Sequence, residues 1–160
     1  MRLLAQSQSA WQYQLSCVEA LGLRSLIKLF PLTATTYAKI TKTDSDPKAA
    51  EREKLLNESL AEHREDLRRK AEHLVGGDSL KIRDERYMLT LGLDDREILL
   101  QILNDIRVES WRALGQPDDL DLPAHPSASE LTQHNLMNLA GYFECELLNL
   151  QEPGDPATEH

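Results

Sequence analysis

The chain has 160 residues, of which 41% are hydrophobic, 28% charged and only 5% aromatic, and its formal net charge is −9. One domain with one core suits that length, and the composition excludes wholesale disorder and favours helices packed through Leu, Ile and Ala over a β-sandwich. No apolar run approaches the ~20 residues that cross a bilayer, and residues 1–5 turn polar at Gln6 before a signal core can form, so a cytoplasmic protein without membrane contact is expected.

The charge is unevenly placed. Residues 116–160 hold nine carboxylates and no Lys or Arg, while the first 115 residues are balanced. This disfavours nucleic acid or an anionic membrane along the C-terminal face, because phosphate binding relies on basic side chains. Cys17 and Cys145 form no CxxC pair, which fits free thiols in a reducing compartment.

In chain order, Trp11-Gln12-Tyr13-Gln14-Leu15 alternates apolar and polar residues and reads as a short strand. Ser16 and Glu19 form a capping-box signature that starts a helix running to about Phe30, where Pro31 stops it. Val18, Leu21, Leu23, Leu26, Ile27 and Leu29 surround most of its circumference, which places the whole helix in the core. Gly22 within it suggests close approach of another backbone. Residues 31–45, rich in Thr and Ser, read as a mobile connection.

Asp46-Pro47 opens a long helix that Gly76-Gly77 closes. Along it Leu56, Leu60, His63, Leu67, Ala71 and Leu74 make a narrow seam that predicts pairing with a second copy. Residues 86–93 alternate again and predict a second strand, and Asp94 with Glu97 predicts the cap of a third helix, which ends near Leu114 and Gly115. The pairs Tyr13-Leu15-Ser16-Glu19 and Leu91-Leu93-Asp94-Glu97 are a weak internal echo, which places the two strands side by side. A proline-rich acidic connection (116–126) leads to a last helix capped at Ser127 and Glu130, with Leu136, Ala140, Phe143 and Leu147 facing inward and Gly141 seating a neighbour.

The fold expected is therefore mainly α: a four-helix bundle-like single domain over residues 1–150 with a short two-stranded β ribbon, followed by a flexible tail at 151–160.

Chemical signatures are sparse. The histidines (His63, His73, His125, His134, His160) form no HExxH or Glu-x-x-His pattern, so no metal and no cofactor are expected. No GxSxG elbow or phosphate-binding loop frames a nucleophile or nucleotide. Cys17, just past a helix cap, is a thiolate candidate by position, although a small buried Cys is the simpler reading. The cluster that stands out is Asn104, Asp105 and Arg107, which interrupts an apolar helix, with Trp111 one turn beyond. These four residues are the candidate binding site, as an inter-helix hydrogen-bonded cluster with Arg107 and Trp111 stacked at its edge.

Three segments carry a resemblance: Tyr13, Leu15 and Glu19 leading into a Leu-rich helix, Leu103-Asn104-Asp105-Ile106-Arg107, and Leu139-Ala140-Gly141-Tyr142-Phe143. In these the chain resembles an uncharacterised family of small bacterial proteins, found mainly in actinobacteria, whose genes often lie near that of the Clp protease adaptor. The resemblance implies a regulatory or proteolysis-linked role and no catalytic residue. The reading from the residues is a non-enzymatic helical binding or regulatory module with a protein partner, a homodimer, or both. The alternatives are a small enzyme or ligand-binding protein with a polar pocket at Asn104, Asp105 and Arg107, and a transcriptional regulator.

Overall fold

The computed structural model describes residues 1–32, 47–77, 79–118 and 121–148. Its elements are β1 (Arg2–Gln6), β2 (Ala10–Leu15), α1 (Cys17–Leu29), α2 (Pro47–Gly76), β3 (Leu80–Arg83), β4 (Arg86–Gly92), α3 (Leu93–Ala113) and α4 (Ala128–Leu148). The expected connection at 31–45, the cap at Asp46 and the tail at 151–160 lie at or beyond the edges of the described residues.

The four helices are joined by a four-stranded antiparallel sheet of order β1-β2-β4-β3. The molecule is thus α/β, and the expectation of a mainly α bundle with a two-stranded ribbon is corrected. The ribbon exists as the β2–β4 centre of the sheet, but an edge strand flanks it on each side. Both edges escape a periodicity reading for physical reasons. Four of the five residues of β1 are exposed, and its register with β2 shifts between Leu3 and Ala5, so no alternation is visible. Strand β3 has only four residues, and Leu80 alone is buried.

The order ββαα occurs twice, and the sheet order and the register of β2 with β4 relate the two pairs of strands about a local two-fold axis. Residues 76 positions apart coincide in role: Trp11 with Tyr87, Tyr13 with Leu89 and Leu15 with Leu91 on the inner strands, and Leu23, Leu26, Ile27 and Phe30 with Leu99, Ile102, Leu103 and Ile106 on the helices that follow. The second helices agree too, since Leu67 and Ala71 of α2 correspond to the buried Phe143 and Leu147 of α4. Equivalent residues Tyr13 and Leu89 are each other's cross-strand partners, so the axis passes through that pair. The repeat therefore matches Tyr13 with Leu89 and not, as the echo in the sequence has it, with Leu91, so that echo is two residues out of register. The reason is visible at α3, which begins at Leu93 with Gly92 as its cap; the Gly92 amide donates to the Asp95 carboxylate at 3.1 Å. Asp95 thus occupies the place of Glu19, and Asp94 is not the cap.

The Ser16–Glu19 capping box is present in both directions, at 2.7 and 3.2 Å, and Ser127–Glu130 repeats it at α4. Helix α1 buries one side only. Val18, Leu21 and Leu29 are exposed because the sheet and neighbouring helices cover just the face of Ala20, Leu23, Leu26 and Ile27. Cys17 is exposed as well, against the expectation of a buried thiol. Gly22 faces the side chain of Leu139, 3.5 Å from where a Cβ would stand, so α4 approaches it with a side chain and not with backbone.

Two arginines clasp the halves together. Arg24 of α1 donates to the Val75 carbonyl at the end of α2 (2.9 Å), and its guanidinium lies 5.6 Å from the ring centre of Tyr87 in the other half. Arg96 of α3 donates to the Leu147 carbonyl at the end of α4 (2.9 Å) and stacks 4.8 Å from the ring of Trp11. Each guanidinium donates to a carbonyl near the last described turn of a helix, where a cation is also favoured by the helix dipole. Each then adds a cation–π contact across the axis. Arg96→Met should therefore lower stability by about 2 kcal/mol in urea denaturation, through loss of a charge-assisted hydrogen bond and the ring contact.

Glu19 is also a meeting point of α1 and α4, accepting hydrogen bonds from the Tyr142 hydroxyl and the Met1 ammonium as well as from Ser16. Burial opposes its charge, but these donors outweigh burial and hold the carboxyl at about 2, below its ordinary 4.5. A depressed folded value means the contribution is complete above about pH 4.5 and is lost as pH falls towards 2. Glu19→Gln should flatten that acid limb, measured as urea stability against pH.

Candidate functional site

The four residues singled out in the sequence all lie on α3, but the helix turns them to different neighbours. Asn104 is exposed. Asp105 faces α2, where its carboxylate takes the Arg64 Nε at 2.9 Å; Glu109, one turn on, lies 3.5 Å from the same guanidinium and 3.3 Å from Arg112. Arg64 is 6% exposed, so this pairing is what makes a charged side chain tolerable between two helices. Arg107 points the other way, to α4, and pairs with Glu144. Trp111 is half-buried beside it and donates its indole N–H to the Pro117 carbonyl at 3.1 Å, which ties down the chain leaving α3. The cluster thus divides between two inter-helix contacts and does not converge on a single polar pocket.

What the division creates is a groove between α3 and α4 of about 860 Å³, lined by Arg107, Val108, Trp111, Met137, Asn138, Gly141 and Cys145. Its walls follow from helical spacing. Arg107, Val108 and Trp111 recur at steps of one and three on α3, and Met137, Asn138, Gly141 and Cys145 recur at steps of one, three and four on α4, so each set shares a face. Gly141 keeps the groove open: a Cβ there would stand 3.7 Å from the Arg107 Cδ. Glu144, almost fully buried, anchors Arg107 from below the solvent line, while the arginine itself remains half-exposed. The arrangement offers an apolar trough with one fixed cation, an exposed amide and an exposed thiol. It presents no base beside a nucleophile.

Two of the four sequence candidates, Arg107 and Trp111, therefore line the groove. Met137, Asn138, Gly141, Cys145 and Glu144 were not singled out as site residues. The inward pattern of α4 was legible, but which of its flanks meets α3 was not. Arg64 escaped for a different reason. The spacing Leu60, Arg64, Leu67, Ala71, Leu74 runs in steps of four and three with a cation at one inward position, and a reading by hydropathy chose His63, which is exposed.

A second, smaller groove of about 410 Å³ lies between α1 and the end of α2, lined by Arg24, Ile27, Lys28, Glu72, Val75 and Gly76. Arg24 is already engaged there as a clasp. Among the described residues no three His, Cys, Asp or Glu side chains are grouped to hold a metal ion, and no helix is long and apolar enough to cross a membrane. Glu130, which the sequence places one turn from His134, is used as a helix cap, and His134 contacts Asn138.

The Arg107–Glu144 pair is testable by a double-mutant cycle. Arg107→Leu alone should cost about 1–3 kcal/mol, because it strands a buried carboxylate, whereas Arg107→Leu with Glu144→Leu should recover most of that loss. Denaturant unfolding of the four proteins measures it.

No family model, curated protein or solved structure matches the chain.

Proposed function

We propose that this chain is a non-enzymatic protein-binding module that receives a helical segment of a partner in the groove between α3 and α4. The observation that carries the reading is the composition of that groove. Trp111 and Val108 supply apolar contact area over a floor formed by the buried Met137, Arg107 is held in place by a buried carboxylate, and Gly141 leaves room for an approaching side chain. Trp, Met and Arg are the residue types enriched where proteins bind one another, and an apolar trough between two helices suits the apolar stripe of a third. Segments that carry the resemblance to the bacterial family, Leu103 to Arg107 and Leu139 to Phe143, contribute to the two walls of this groove. A regulatory role linked to proteolysis is the proposal that joins these observations.

Self-association is a second reading, favoured by α2. The seam expected to pair with a second copy is consumed in part by the chain's own core, since Leu67, Ala71 and Leu74 are buried there. The N-terminal half retains Leu55 and Leu56 at 59% and 47% exposure. That half, and not the whole seam, is the proposed surface for a homodimer.

The groove reading is tested by affinity capture with the wild-type chain and with Val108→Glu, which places a charge on the half-exposed wall of the trough. A defined partner retained by the wild type and lost by the variant, with both proteins equally folded by circular dichroism, is the expected result. Identical capture by both would remove the groove from the interface. Leu55→Glu with Leu56→Glu, examined by light scattering, separates self-association from this: a dimer in the wild type that becomes monomeric supports the second reading, and a wild-type monomer eliminates it.

A further inference from the structure

The helices that contact the sheet lie on one side of it, where Trp11, Tyr13, Leu15, Leu89 and Leu91 are buried. Among the described residues no helix covers the opposite side. Alternation along the strands places Gln12, Gln14, Met88 and Thr90 in its centre and Arg2, Lys81, Arg83 and Arg86 around them. All four cations are exposed.

The charge on this face is out of keeping with the molecule. The four strands contain four cations and no carboxylate, in a chain that has 27 carboxylates and a net charge of −9. Cations on the helices are handled differently: Arg64, Arg68, Lys70, Arg107 and Arg112 are all paired with acids. On the sheet, Arg2, Gln14, Met88 and Lys81 form one cross-strand row with a cation at each end, roughly 14 Å across at the usual strand spacing. Arg83 and Arg86 stand directly opposite each other next to that row, and like charges in that position destabilise a hairpin. Asp84 approaches Arg83 only at 3.9 Å, with the two side chains 96% and 79% exposed, and offsets little of the repulsion. A local cost offset only in part, by the exposed Asp84-Glu85 turn that joins the two arginines, is characteristic of a functional surface.

We propose that this open face of the sheet, centred on Lys81, Arg83 and Arg86, binds an acidic segment of a partner protein. It is a surface separate from the α3–α4 groove and does not depend on that reading. Cations at the ends of the row steer and hold carboxylates, and Gln12, Gln14 and Thr90 between them offer amide and hydroxyl groups to the peptide. Single-stranded nucleic acid fits less well. Trp11, Tyr13 and Tyr87 belong to the inner side, so among the described residues no strand aromatic stands on the open face for bases to stack on.

The test is a nuclear magnetic resonance titration of the labelled full chain with a deca-glutamate peptide and, separately, with decathymidylate, both at low salt. The expected result is saturable shifts of the Gln14, Lys81, Arg83 and Met88 amides on adding the peptide, weakened by added salt. Lys81→Gln with Arg83→Gln and Arg86→Gln, changes confined to exposed side chains, should reduce the affinity by about tenfold, some 1.4 kcal/mol. Arg2→Gln, on the far edge strand, should reduce it by a smaller factor. No shift at low salt, shifts unchanged in the triple variant, or tighter binding of decathymidylate than of the peptide would each overturn the proposal.

Discussion

The antiparallel pairing of β2 with β4 is the constraint on which the rest of this structure depends. It brings together two strands that are more than seventy residues apart in the chain, and it does so about a two-fold axis at Tyr13 and Leu89, both fully buried. Each inner strand leads directly into a capped helix, so setting the register of one pair sets the direction in which α1 and α3 leave the sheet. A one-residue slip would turn Trp11, Tyr13, Leu15, Leu89 and Leu91 from the core to the open side. The register is secured from both faces of the problem, by burial of those side chains and by the arginine clasps that reach across the axis to Tyr87 and Trp11.

The two halves use the same architecture to different ends. In the first, α2 packs with its C-terminal part, contributes Arg64 to the pairing with α3, and carries exposed leucines nearer its start. In the second, α4 packs from Met137 to Leu147, and the groove opens on the flank where it meets α3. A symmetric scaffold with asymmetric surfaces is an economical way to present distinct binding faces, since the core positions are shared and the flanks are free to differ. Few identities survive between the halves; Leu15 with Leu91, Leu23 with Leu99 and Leu60 with Leu136 are among them. The repeat is one of burial pattern more than of residue type, which is why it was only faintly legible.

The inner strands, the capping boxes at Ser16 and Ser127 and the ends of α1 could be read nearly to the residue, because each depends on neighbours within a few positions. Edge strands could not, because an edge is defined by what lies beside it. The candidate site was half legible. Arg107 and Trp111 stood out as polar and aromatic interruptions of an apolar run, but the same helix carries Asp105 and Arg107 on faces that meet different partners, and that assignment requires knowing where α2 and α4 stand.

By itself, then, the amino-acid order determined the local conformations and the inward face of most elements, since hydrogen bonding within a turn and the spacing of apolar side chains act over short range. Only the tertiary structure decided that the ribbon is the middle of a four-stranded sheet, that the chain folds as two related halves, and that no described helix covers the side of the sheet that carries its cations. Those outcomes arise from contacts between residues far apart in sequence, whose geometry no local pattern encodes.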